Sequence, residues 1–265
     1  MRWILGVFIL VFAAVSVEAA EFDHGIWDSL LKKHVVVFDG GMKTQVNYDG
    51  FLRDRGLLRT YLDSLSRVEQ KNFDTFSPDE QLAFLINSYN SWTVELILTK
   101  YPDLESIKDL GSFFQSPWKK RFFPLLGQAR SLDDIEHKLI RGSGRYNDPR
   151  IHFAVNCASI GCPSLRAEAY SGTELQAQLE EATELFLSDK TRNRYRDNRL
   201  EVSSIFSWYR EDFEKGWKGI DSPGEFFARY HRFLGMNAQA TEKAMKNKLE
   251  ITYLKYNWKL NSIGR

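Results

Sequence analysis

Both cysteines of the chain fall in one short stretch, HFAVNCASIGCPSL at positions 152–165, as Cys157 and Cys162. Two thiols in a Cys-x4-Cys loop at a chain reversal suit three kinds of chemistry: a nucleophilic thiol, a disulfide, or half of a metal site. An apolar run feeding the small residues Cys157-Ala158-Ser159 is a good setting for a nucleophile. If a helical turn starts there, its free N–H groups lower the thiol pKa and can hold an oxyanion. Gly161 and Pro163 then let the chain fold back. A disulfide needs Cα atoms about 4.4–6.8 Å apart, which a tight turn through Ile160-Gly161 supplies. A zinc site usually wants four ligands, and no second cysteine pair exists, so neither metal nor cofactor is expected. A thiol oxidoreductase fits less well, because its Cys-x-x-Cys spacing is shorter by two.

A nucleophilic Cys157 needs a base. Arg150 to Asn156 reads as a buried strand, with His152, Ala154 and Asn156 on one face. Five residues of straight strand cover about 16 Å, against about 3 Å for a thiol–imidazole hydrogen bond. His137 or His231, arriving from another element, is therefore as good a candidate as His152. Two helices carry further polar residues on apolar faces. In the helix that starts at Pro78, Gln81, Ser88, Glu95 and Thr99 form a polar stripe, yet Asn87 and Asn90 project into the apolar sector. A buried amide without partners costs about 1–3 kcal/mol, so both either brace neighbouring backbone or line a site. In the helix that starts at Ser131, Glu136 falls between Leu132 and Ile140 on the buried face, and His137 lies at its edge. A buried carboxylate is either paired or neutral.

The elements that must position these residues are marked by caps and periodicity. A helix over Phe22–His34 precedes short strands at Val35–Val37 and Thr44–Tyr48 around the Gly40-Gly41 turn. Asp49 suits the N-cap of a helix reaching Leu65. Ser77-Pro78-Asp79-Glu80 is a capping box with proline at the first helical position, and its helix runs to about Lys100. Ser131 opens a helix that stops at Gly142. Thr173–Leu187 is amphipathic. Arg199–Val202 reads as a strand, Ser203–Phe213 as a helix, Ser222–Leu234 as a helix with the same capping logic, Ala238–Asn247 as helical, and Glu250–Lys259 as a strand. Helices with a few scattered strands define a mostly helical α+β class with a small sheet, with a papain-like thiol-hydrolase arrangement as one option. No repeat, low-complexity tract or Pro/Gly/Ser-rich linker divides the chain, so residues 20–265 are expected to form one globular domain.

Arg2, the apolar run Trp3–Val17 and the small residues at Val17-Glu18-Ala19 read as an export signal over residues 1–19. Fifteen apolar residues span about 22 Å of helix, short of the roughly 30 Å hydrocarbon core; no stable membrane insertion after cleavage is expected. The expected compartment is the periplasm or the exterior, where disulfides persist. A formal net charge of +1 offers nothing to attract nucleic acid. Aromatic residues make up 14% of the chain, enough for a core that needs no cross-link.

Four segments, FLINSYNSWTVELIL, SLDDIEHKLIR, DPRIHFAVNCASIGCPSLRAEAY and SSIFSWYREDF, together resemble the family catalogued as domain of unknown function 547. The resemblance runs from about Tyr48 to Asn261, with Leu85 where the family usually has Trp. It implies a bacterial, often exported, single-domain protein, without a settled activity; plant members carry the domain behind a coiled coil. It also implies that Asn87, Tyr89, Asn90, Glu136, His137, His152, Asn156, Cys157, Ser159 and Cys162 form the family's centre.

Two functions follow as expectations. The first is a cysteine-dependent hydrolase or acyl transferase acting on an amide or peptide bond of a small-molecule or peptide substrate. Its candidate catalytic residues are Cys157, His152, His137, Glu136 and Asn156; Asn87, Tyr89, Asn90, Ser159 and Trp118 would bind substrate. The second is a non-catalytic exported binding or scaffold protein in which Cys157–Cys162 is a structural bridge. Trp118, Trp208, Trp217 and Tyr230 would then offer its contact surface, while PWKKRFF at 117–123 reads as a solvated loop pinned by aromatic anchors.

Overall fold

The computed structural model describes residues 21–112 and 114–264. The expected export signal lies outside the described residues. Helices Gly25–His34, Tyr48–Arg53, Arg55–Ser66 and Gln70–Phe73 precede a long central helix, Pro78–Leu98. Every residue of that helix from Glu80 to Leu98 is buried, as expected of a helix apolar on nearly all sides. Of its polar stripe, Gln81, Ser88 and Glu95 are buried too and only Thr99, at the helix end, is exposed; other elements supply partners: Arg55 donates to both oxygens of Glu95, and Gln81 donates to the Phe73 and Phe76 carbonyls.

Ser77 caps the central helix by accepting from the Glu80 N–H at 3.2 Å. Glu80 does not complete the expected box. Its two oxygens instead accept from the Phe22 N–H at 2.9 Å and the Gly172 N–H at 3.0 Å, tying two distant segments to the helix start. The helix expected from Asp49 to Leu65 is two helices, and Asn47 rather than Asp49 caps the first, accepting from the Gly50 N–H.

The strands are short. Val35–Phe38 and Lys43–Val46 form one antiparallel hairpin, and Phe123–Leu125 and Gln128–Arg130 another. Arg194–Arg196 pairs antiparallel with Arg199–Ser203, which pairs parallel with Ile251–Leu254, Leu200 facing Ile251. The architecture is α+β, a single compact domain in which helices predominate. No helix among the described residues is long and apolar enough to cross a membrane.

The core has two hydrophobic clusters. One surrounds the central helix and includes Trp27, Tyr61, Phe84 and Ile86. The other gathers Phe153, Phe186, Phe206, Phe213 and Phe226. Residues 149–153 lie at their seam, with Ile151 in the first cluster and Phe153 in the second. This segment is a 3-10 helix, Pro149–Phe153, and not the expected strand. A short buried apolar run does not distinguish the two by periodicity; here local polar groups decide. Asp148 accepts from the Arg150 N–H at 2.9 Å, and Pro149 fills the first helical position. The Arg150 side chain, 1% exposed, pins the turn to helix Leu175–Ser188 through Gln176 and Glu180.

Candidate functional site: an aromatic cleft around a sulfur pair

Cys157 and Cys162 form a disulfide with Cα atoms 6.2 Å apart, so of the three chemistries open to these thiols the structure holds the bridge. Asn156 builds the loop. Its backbone N–H donates to Asn90 Oδ1 at 2.8 Å, its Nδ2 donates to the Pro163 carbonyl at 2.7 Å, and its Oδ1 accepts from the Ala158 N–H at 2.8 Å. That last bond holds Ala158 at φ 60°, a left-handed conformation that costs a residue with a side chain about 1–2 kcal/mol. Gly161 is required for a different reason: a Cβ there would lie 2.9 Å from the Asn257 nitrogen and the Tyr256 ring. Tyr256 is thereby brought over the sulfurs. Its hydroxyl donates to Cys162 Sγ at 3.1 Å, lies 3.3 Å from Cys157 Sγ, and accepts from Ser159 Oγ at 3.2 Å.

His152 leaves the seam on the cleft side. The 3-10 turn coils the chain, so the straight-strand separation expected between His152 and Cys157 does not apply, and both line one cleft of about 240 Å³. His152 Nε2 is 2.7 Å from Asp212 Oδ2. Because that carboxylate can only accept, Nε2 carries the proton and Nδ1 the lone pair. Nδ1 is buried and has no hydrogen-bond partner. Burial lowers the His152 pKa, against the opposing pull of Asp212. Burial would raise the Asp212 carboxyl, but hydrogen bonds from His152, Arg141 and Lys215 outweigh it and hold the group well below the usual carboxylate range. The His152 ring also stacks on Tyr209, centroids 3.9 Å apart.

Glu136 enters from a π-helix, Asp134–Ile140, whose start is fixed reciprocally by Ser131 and Asp134. It is 5% exposed, as its place between Leu132 and Ile140 predicts. Burial, and next the Glu136 carboxylate beside them, raise the pKa values of the Tyr89 and Tyr209 phenols, while Oε1 is buried without a partner. His137 is partly exposed, contacts Arg141 through Nδ1 at 2.7 Å, and lines the cleft beside Asp133. Trp118, Trp208, Tyr209, Tyr256 and Trp258 complete the wall. Trp208 stacks on Trp258 with centroids 5.7 Å apart, and Trp118 meets Trp258 edge-on at 5.8 Å.

Of the candidate residues, Tyr89, Trp118, Glu136, His137, His152 and Cys157 therefore meet in one place, with Ser159 3.3 Å from the Cys157 sulfur. Asn87 and Asn90 face backbone. Asn87 exchanges two hydrogen bonds with Tyr170, and Asn90 bonds the Ala154 carbonyl and the Asn156 N–H. His231 bonds the Ala228 carbonyl and does not line the cleft. Trp217 and Tyr230, expected as exposed contact surface, are buried in the second cluster, whereas Trp208 is 49% exposed. In the 117–123 loop, Phe123 is a buried anchor stacked on Trp92. Sequence reasoning missed Asp212, Tyr209 and Trp258. Asp212 and Tyr209 fall within the helix expected over Ser203–Phe213, to which no facing is assigned; that helix breaks into Ile205–Trp208 and a 3-10 turn, Arg210–Glu214, in which Asp212 is buried.

Behind the loop lies a second cavity, about 390 Å³, lined by Lys43, Asn156, Ser159, Ser164, Arg192 and others. Cys162 and Pro163 belong to the walls of both cavities. Among the described residues no group of His, Cys, Asp and Glu could hold a metal ion.

Fold and site together define an α+β protein whose cleft gathers Glu136, His137, His152 and aromatic rings around a disulfide loop. Residues 73–187 match the family described as "Protein of unknown function, DUF547", and the chain resembles that family. The matched stretch contains Glu136, His152 and both cysteines, while Asp212 and the wall formed by Trp208, Tyr209, Tyr256 and Trp258 lie beyond it. No curated protein and no solved structure matches the chain.

Proposed function

We propose that the protein is a cysteine-dependent hydrolase or acyl transferase, exported from the cytoplasm, that acts on an amide or peptide bond after its disulfide has been opened. A thiol reductant would supply the two electrons that convert Cys157–Cys162 to two thiols. His152 Nδ1 would take the Cys157 proton, and Asp212 would hold the imidazolium that forms. The thiolate would attack the carbonyl carbon, the C–N bond would break, and the amine would leave with the proton from His152. Water or a second amine would then release the acyl group from Cys157. The papain-like arrangement of thiol and imidazole belongs to this proposal. The observation that carries it is His152, buried, held by Asp212 through Nε2 and unpartnered at Nδ1, lining the same cleft as Cys157.

The test is alkylation of the reduced protein by iodoacetamide at neutral pH, followed by peptide mass spectrometry. Cys157 is expected to react faster than Cys162, and His152→Ala to slow Cys157 by tenfold or more. Equal rates at both thiols, indifferent to His152, would reject the mechanism.

One observation favours a second reading, a non-catalytic binding protein: the two sulfurs are joined and an aromatic wall faces them. Under this reading a Cys157→Ser/Cys162→Ser double variant binds ligand as the disulfide form does and loses only stability.

A further inference from the structure

We infer that the cleft takes a primary alkylammonium group, the protonated amine of a lysine-type chain, with Glu136 as its counter-ion and the indole wall as the surface for its carbon stem. This names the substrate class of the proposed amide chemistry, and rests on that reading for its place in a reaction but not for binding itself.

The inference starts from an unbalanced carboxylate. Glu136 is 5% exposed and lines the cleft, yet Oε1 accepts from no group. Tyr89 and Tyr209 lie beside it and bring no positive charge. The nearby cations are engaged elsewhere. Arg141 donates to Asp212 Oδ2 and meets His137 Nδ1; Lys215 pairs with Asp212 and Lys138 with Asp134. A carboxylate that stays ionised in such a place is paired with a cation or placed on a metal, and among the described residues none around this one make a metal set. The positive charge that would keep it ionised is therefore the ligand's.

The wall argues for the same chemistry. Tryptophan faces attract ammonium groups through the ring quadrupole, most strongly where water is excluded. The chain itself provides an instance: the Lys108 ammonium sits 3.7 Å from the centroid of the Trp258 ring. Trp118 and Trp208 flank that indole. A primary ammonium serves Glu136 better than a quaternary one, because Oε1 needs an N–H donor. The disulfide lies in the same cleft, so a ligand anchored at Glu136 would bring its other end towards the Cys157 sulfur.

The experiment uses the disulfide-bonded protein and requires no turnover. Intrinsic tryptophan fluorescence is followed during titration with n-pentylammonium, with pentan-1-ol and N-acetylglucosamine as neutral comparisons. Pentylammonium is expected to bind at least tenfold more tightly than either. Glu136→Gln should weaken the ammonium by about tenfold or more and leave pentan-1-ol within about twofold. Trp208→Ala, which alters a half-exposed ring, should weaken it severalfold and decides the matter if Glu136→Gln does not fold. Equal binding of pentan-1-ol, preferential binding of the sugar, or an ammonium affinity indifferent to both substitutions would overturn the inference. A failure here leaves the alkylation test untouched, and a failure there leaves this one standing.

Discussion

At the scale of single residues, the site is made by polar groups whose partners come from distant segments. Asp212 joins three cations or donors at one carboxylate, so Asp212→Asn should destabilise the fold by about 3 kcal/mol at neutral pH, read by urea unfolding. The pH dependence has a definite sign. The folded-state pKa of Asp212 lies below its ordinary value of 3.8, so the stabilisation is complete above that value and is lost as the pH falls through the folded pKa. The stability gap between wild type and Asp212→Asn should therefore narrow in acid below about pH 4; a gap constant from pH 7 to pH 2 would show that the ion pairs contribute nothing. Asn90→Ala leaves the Ala154 carbonyl and the Asn156 N–H without their partner. At about 1–3 kcal/mol for each of the two buried groups, the loss should reach about 2–6 kcal/mol. Gly161→Ala should cost about 1–3 kcal/mol by overpacking against Tyr256, with Tyr256 fluorescence or its ring chemical shifts reporting the displacement from the sulfurs.

At the scale of elements, the short 3-10 and π segments do most of the positioning. Ser131→Ala removes a cap from the π-helix that carries Glu136 and should lower stability by about 1 kcal/mol in thermal or urea unfolding. Glu80→Ala should raise amide exchange at Phe22 and Gly172, its two acceptor-bound N–H groups, while exchange in the middle of the central helix stays unchanged. Much of this level was legible in the sequence. The Ser77-Pro78 start, the hairpin around Gly40-Gly41, and the burial of Glu136 followed from capping chemistry and the helical period. Residues 149–153 were not legible, because five buried residues satisfy strand and 3-10 patterns equally until Asp148 and Arg150 find their partners. Asp212 was hidden for a related reason. The expected helix gives it no assigned facing, and the break after Trp208 leaves it buried. The amides of Asn87 and Asn90 were recognisable as anomalies, but their partners lie 64 to 83 residues away, beyond the reach of any local period.

At the scale of the whole molecule, two apolar clusters meet at the segment that leads into the sulfur loop. The fold is expected to stand without the cross-link. Closing so short a loop contributes about 2 kcal/mol in the chain-entropy account, small against the apolar surface gathered in the two clusters. Reduction should lower the melting temperature by several degrees and leave far-ultraviolet circular dichroism intact; collapse of the spectrum would mean that the bridge carries the fold. The loop is also a partition. With Cys162 and Pro163 facing a hollow on either side, the front room and the back room of the protein share a wall one peptide strand thick. Whatever oxidises or opens that wall is announced on the far side, so amide resonances of Ser164 and Thr191 should shift on reduction although neither residue faces the front room.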